Sequence, residues 1–184
     1  MREYDWSNLL VEISHDALNL LATEINETAH IAIREGSSVL IIDSAHSSRI
    51  ITTVGRTSEL DPLHCTAYGK AILADSNENE LRALLGSGPL RSYTKNTITT
   101  IRTLADNCAV IHERGYAIDD LEHYEDLRCI AAPIRLNNQI VGSIGISAPA
   151  SRLPDTLYSK YGEKVCAIAN KIGASLHNVE RDSV

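Results

Sequence analysis

Residues 127–150 read LRCIAAPIRLNNQIVGSIGISAPA, two apolar runs parted by a short polar turn. No other feature limits the fold so sharply. Runs of this length, rich in isoleucine and valine, form strands, and the turn Leu136-Asn137-Asn138-Gln139 folds one back on the other as a hairpin. A second hairpin stands near the other end. TAHIAIREGSSVLIIDSAHSSRIITT (28–53) reads as a strand, a Gly36-Ser37 turn, a second strand and a third strand near Ile50. Strands joined by tight turns pair antiparallel.

Helical periodicity fills the rest. Trp6, Leu9, Leu10, Ile13, Ala17, Leu21 and Ile25 share one face of an opening helix. DPLHCTAYGKAILA (61–74) enters a short helix after Pro62, with Thr66 near its start, and ENELRALLG (78–86) continues as a helix that stops at Gly86. GSGPLRSYTKN (86–96) is a loop. The next helix has threonines for its cap, Ile101, Leu104, Ala105, Cys108 and Ile111 on its inner face, and Gly115 at its end. YAID (116–119) is a short strand, and Pro154 starts a last helix that turns Leu157, Tyr161, Val165, Ile168, Ile172 and Leu176 inward. Hairpins at both ends with helices between and around them predict an α+β domain. Its terminal helices lie together on one face of an antiparallel sheet and its middle helices cover the other, leaving room for a pocket beneath the middle segment.

Composition narrows the function. A chain of 184 residues suits one domain, and with no phenylalanine and one tryptophan its core is aliphatic. The formal charge is −7 with basic residues scattered, so the chain lacks the clustered lysine and arginine that gripping nucleic acid requires. Cys65, Cys108, Cys129 and Cys166 form no CxxC pair, which argues against a zinc ribbon or a thioredoxin motif. Without a signal peptide, reduced thiols and a cytoplasmic location are expected. The apolar runs are too short to span a bilayer, so no membrane association is expected.

Chemistry concentrates in RGYAIDDLEHYEDLRCIAAPI (114–134). Cys129 as a nucleophile would take His64 or His123 as its base. Asp119, His123 and Cys129 could hold zinc, although no recognised ligand spacing is present. The remaining reading is a pocket wall and its approach loop. In that reading Asp120, Glu122, Glu125 and Asp126 are solvated, while Asp119 faces inward and needs a hydrogen-bond partner. Cys108 and Cys166 fit structural roles, Cys166 on a line of small residues with Gly162, Ala169 and Gly173. Cys65 precedes a helix start, where a thiolate gains from the helix dipole. His64 reads as a buried histidine bonded to backbone.

PLHCTAYGKAILA (62–74), SYTKNTIT (92–99), RGYAIDDLEHYEDLRCIAAPI (114–134) and IVGSIGISAPASRL (140–153), in this order and spacing, resemble the C-terminal effector-binding domain of the IclR family of bacterial transcriptional regulators. The resemblance covers roughly residues 8 to 178. It implies a GAF-like fold, with residues 1–26 as the linker or first helix and 27–184 as the effector-binding domain. It also implies assembly into homodimers or homotetramers, and a DNA-binding winged helix-turn-helix that this chain does not contain. The expected function is sensing of a small-molecule effector, a small carboxylate, without enzymatic activity, cofactor or metal. DNA would be reached only through the missing N-terminal part. The alternative is a cysteine-dependent enzyme on a GAF-like fold. Carried over position by position, the effector-binding residues are Ala67, Tyr68, Asp119, Leu127, Cys129, Gly145, Ser147 and Ile50. Backbone amides of Ala67 and Tyr68 at a helix start would cradle a carboxylate.

Two departures from the family pattern stand out. Tyr68 replaces a small residue and Gly145 a serine, and the paired size change suggests that the Tyr68 ring enters space vacated at Gly145, its hydroxyl replacing the missing serine. GRTSELDPLH (55–64) is about three residues longer than the usual connection.

Overall fold

A computed structural model of the chain describes residues 6–49 and 60–182. Helix α1 (Trp6–Ile25) is followed by the hairpin β1 (Thr28–Glu35) and β2 (Ser38–Ala45) and by a short strand β3 (Leu60–Pro62). Three helices come next: α2 (Ala67–Ile72), α3 (Glu78–Leu85) and α4 (Ile101–Arg114). Strands β4 (Ala117–Asp120), β5 (Leu127–Leu136) and β6 (Gln139–Pro149) lead through two 3₁₀ turns into α5 (Tyr158–Asp182). The strands form one antiparallel sheet in the order β3-β2-β1-β6-β5-β4. This is the α+β architecture read from the two hairpins. The third strand expected near Ile50 falls outside the described residues, as does Ile50 itself, and the strand beside β2 is Leu60–Pro62.

Local chemistry accounts for the boundaries. Asn137 and Asn138 both have positive φ, 51° and 64°, which gives the β5–β6 connection the handedness that a two-residue hairpin needs. Thr66 caps α2 by accepting the Gly69 amide, Asn77 and Glu80 form a capping box on α3, and Thr100 caps α4 by accepting the Thr103 amide. Gly115 closes α4 in the left-handed conformation, φ 90°. One boundary differs from expectation. Pro154 opens a 3₁₀ turn over Asp155–Leu157, and α5 starts at Tyr158.

Alternation along the strands separates two cores. Ile31, Ile130, Ile134, Ile144 and Ile146 pack beneath α1 and α5, while Ala32, Ala117, Cys129 and Ala131 point to the other side with α2, α3 and α4. Small residues on α5 bring it close to its neighbours. A Cβ on Gly162 would lie 2.5 Å from the Tyr116 ring, and one on Gly173 would lie 2.4 Å from the carbonyl oxygen of Arg135. The Cys166 thiol donates to the Gly115 carbonyl at 3.1 Å, so this cysteine is structural, and Cys108 is buried on the inner face of α4. Among the described residues no helix is long and apolar enough to cross a membrane.

Candidate effector site

The face under the middle helices brings most of the expected site residues together. Strand pairing aligns Asp119 with Cys129 and Cys129 with Ser147, a polar row running across β4, β5 and β6. The next inward row aligns Ala117, Ala131, Gly145 and His30, and His30 pairs in turn with Ser44. Helix α2 lies over these rows and places Tyr68 among them, only 5% exposed. The Tyr68 hydroxyl is 3.1 Å from Ser147 Oγ, which is 3.2 Å from Cys129 Sγ. The Tyr68 ring meets the His30 ring edge-on, with centroids 5.6 Å apart. His30 Nδ1 and Ser44 Oγ are 2.7 Å apart.

Asp119 is buried and its Oδ1 accepts the amides of Glu122 at 2.7 Å and His123 at 3.4 Å, so the inward aspartate finds its partner in the turn that follows. Burial pushes its carboxyl up to about 7, partly opposed by those amide hydrogen bonds. The turn is clamped from outside as well. Thr94 Oγ1 donates to the Leu121 carbonyl at 2.6 Å and Thr97 Oγ1 to the Glu122 carbonyl at 2.6 Å, which gives the SYTKNTIT segment its structural purpose. Leu121 itself sits at φ 60°.

Glu122 corrects the solvated-loop expectation. It is buried, and its carboxylate is ion-paired with Lys70, which is 1% exposed and also donates to the Ile118 carbonyl at 2.6 Å. Asp120 instead pairs with Arg128 near the surface. His64 Nε2 lies 2.8 Å from the Arg91 carbonyl, a backbone bond as expected, made to the loop before α4.

Of the expected site residues, Ala67, Tyr68, Asp119, Cys129, Gly145 and Ser147 are buried together on this face and Leu127 is half-buried beside them. Ile50, like residues 55–59 of the long connection, lies outside the described residues. Tyr68 does turn inward, but Gly145 makes no room for it. A Cβ at Gly145 would lie 2.2 Å from the Ile130 carbonyl oxygen and 2.7 Å from Cα and Cβ of Ala131. The close approach of β5 therefore requires glycine there, and the Tyr68 hydroxyl goes to Ser147. Lys70 and His30 escaped the sequence reading. Alternation in TAHIAIRE puts His30 opposite Ile31, and an acidic turn is a natural partner for a lysine on a buried helix.

Two chemical alternatives fare poorly. Burial, and secondarily Asp119, pushes the Cys129 thiol well above its ordinary value, and burial does the same to Cys65, against the helix-dipole expectation. Neither is a ready thiolate. Among the described residues no three of His, Cys, Asp and Glu converge as a metal-ligand set. An open cleft of about 900 Å³ does exist, but it lies at the other end of the sheet, lined by Trp6, Ile33, Ile72, Leu84 and Val141 among others, and contains none of the expected site residues.

An antiparallel sheet with the two terminal helices on one face and a covered polar row on the other defines a class of α+β domain with known members. Residues 6–174 match the family described as the bacterial transcriptional regulator IclR C-terminal domain. The chain is 32% identical over 151 residues to the HTH-type transcriptional repressor AllR of Salmonella paratyphi A, covering 82% of this chain and 56% of that protein. It is 31% identical over 169 residues to the transcriptional repressor IclR of Escherichia coli K12, covering 90% and 62%. The crystal structure of the Thermotoga maritima IclR superposes with a TM-score of 0.85 at 30% identity, covering 96% of this chain and 70% of that one. The chain belongs to the IclR family and corresponds to its C-terminal domain. It spans little more than half the length of the curated relatives it matches.

Proposed function

We propose that this domain senses a small-molecule effector for a bacterial transcriptional regulator, binding it under α2 without catalysing a reaction. A single observation carries the reading: a buried polar row, Asp119, Cys129 and Ser147, on which the Tyr68 hydroxyl rests, where an apolar row would hold the fold as well or better. Partnered buried polar groups stabilise a fold only modestly, and apolar groups of the same shape can serve as well or better, so a row of this kind fits recognition better than packing. The raised Cys129 thiol favours binding over a cysteine enzyme.

The effector is a small carboxylate. The Ala67 and Tyr68 amides precede the first helical bond of α2, that of Lys70 to Thr66, and are the donors suited to an anion. Asp119 with its raised carboxyl is partly protonated near neutrality, so it repels an anion less and can donate a proton to it. In the parent protein the domain assembles with further copies in the cytoplasm, and ligand binding shifts the placement of an N-terminal DNA-binding module. A screen of melting temperature against glyoxylate, pyruvate, sugar acids and aromatic acids tests this. A ligand at a hundredfold over its Kd adds about 2.7 kcal/mol. A saturable shift that Ser147→Ala and Asp119→Ala both abolish is the expected result, and a shift untouched by both variants places the ligand elsewhere.

A further inference from the structure

We infer that Tyr68 is an internal stand-in for the effector: its phenol fills the site in the empty domain, and a phenol-bearing aromatic acid binds by exchanging with it. This rests on the effector-site reading above and adds the ligand class and the mode of entry.

The slot around Tyr68 is built for a flat ring with a polar end. Adjacent strands contribute Ala117 and Ala131 at aligned positions, with side chains that reach little above the sheet, and His30 stands at the end of that row beyond Gly145, which is itself drawn against β5. The parallel row one step along is the polar one, Asp119, Cys129 and Ser147. A ring set against the first row and hydroxylated toward the second meets both, and the Tyr68 side chain has that arrangement. Its ring is packed edge-on against His30 and its hydroxyl is on Ser147. On the same face of β6, two residues beyond Gly145, Ser143 Oγ is fully buried with no hydrogen-bond partner among the described residues. A buried hydroxyl without a partner is uncommon in a packed core, so this lane holds polar capacity that Tyr68 leaves unused.

The anchors also differ in strength. Helix α2 is fixed by the Lys70–Glu122 pair, by its Thr66 cap and by contact at Gly69, where a Cβ would lie 2.3 Å from the Leu63 carbonyl oxygen. The phenol has a single neutral hydrogen bond to Ser147 and its ring contacts. Exchange therefore requires rotation of one side chain, with the helix in place.

The test uses the 184-residue chain, 4-hydroxybenzoate, benzoate, phenol and pyruvate as probes, titration calorimetry for affinity, and carbon-13-labelled tyrosine NMR to follow the Tyr68 ring. Wild type is expected to bind 4-hydroxybenzoate more tightly than benzoate or pyruvate, with the Tyr68 signals leaving their buried environment. Removing the stand-in raises the fraction of binding-competent protein and so the apparent affinity. Tyr68→Phe, which loses only the Ser147 bond, should bind about fivefold tighter, as expected for one neutral hydrogen bond, and Tyr68→Ala more than tenfold. If Tyr68→Ala does not fold, Tyr68→Phe decides. Equal affinity in wild type and Tyr68→Phe, or a bound probe with the Tyr68 ring still buried, overturns the inference and leaves the effector reading standing. Binding of pyruvate alone does the same. If neither wild type nor the variants bind any probe, both readings fall together.

Discussion

The buried pair of Lys70 and Glu122 permits a prediction whose size follows from the structure. Lys70→Met keeps the apolar stem and removes the ammonium, leaving the buried Glu122 carboxylate without its cation, its Oε2 already without a partner among the described residues. The Ile118 carbonyl loses its donor as well. Breaking a buried pair from one side costs roughly 3–5 kcal/mol, but Glu122 can escape by taking up a proton. Protonating a glutamate of ordinary pKa at pH 7 costs about 1.36 kcal/mol for each of about 2.7 units, or about 3.7 kcal/mol, and that is a ceiling on the charge penalty. The ceiling falls to about 1 kcal/mol at pH 5. The lost bond to Ile118 adds about 1 kcal/mol at either pH.

Burial already raises the Glu122 carboxyl, with Lys70 opposing, and losing Lys70 raises it further. A carboxyl with a raised folded-state pKa lends stability at low pH that is lost as pH rises, so the deficit of Lys70→Met must grow with pH. Urea unfolding followed by far-ultraviolet circular dichroism should show about 4–5 kcal/mol lost at pH 7 and about 2 kcal/mol at pH 5. Fluorescence is a poor reporter because Trp6, the sole tryptophan, is half exposed. Lys70→Met/Glu122→Leu should recover most of the loss or exceed wild type. A single-variant deficit below 1 kcal/mol at pH 7, or one that does not change with pH, refutes the reasoning.

Asp119→Asn should gain stability relative to wild type as pH rises from about 4 to 7, because the raised Asp119 carboxyl, near 7, favours the folded state only while protonated. The difference should grow by at most about 1.4 kcal/mol per pH unit in urea titrations, and parallel curves would count against it. Gly145→Ser should destabilise by about 1–3 kcal/mol, seen as a lower Tm, because its Cβ meets the β5 backbone. A neutral result would show that the strands can part there. At the β5–β6 turn Asn138→Gly should be neutral or slightly stabilising, whereas Asn138→Ala, forced to positive φ, should lose about 1–2 kcal/mol by the same melting assay.

Much of the fold could be read because its determinants are local. The Asn137-Asn138 turn, the Thr66 and Thr100 caps and Gly115 each act within a few residues, and the small residues on α5 announce close packing before the partner is known. The polar row was reached through the family resemblance, and strand alternation agrees with it, since it puts Asp119, Cys129 and Ser147 inward once the pairing is granted. What failed depends on contacts distant in sequence. Lys70 and Glu122 are 52 positions apart, and nothing near Glu122 distinguishes it from Glu125, which is exposed. Gly145 suggested a vacancy because a missing side chain looks the same in sequence whether a ligand, a ring or a neighbouring strand occupies the space.

Helix α2 ties the stable and the adaptable parts of the site together. Within two residues it carries Tyr68, whose phenol rests on one neutral hydrogen bond, and Lys70, whose ammonium closes a buried ion pair. The Glu122 of that pair sits in the turn whose amides cap Asp119 and whose carbonyls accept Thr94 and Thr97. A shift of the helix would therefore break the ion pair and the Lys70 bond to the Ile118 carbonyl, and would pull on the turn that carries the aspartate cap and the threonine clamp. Rotation of the Tyr68 side chain disturbs none of them. In the proposed site, the network that makes Lys70→Met costly leaves the Tyr68 ring as the element free to move, and the stability of the first variant and the affinity of Tyr68→Phe measure the two sides of that division.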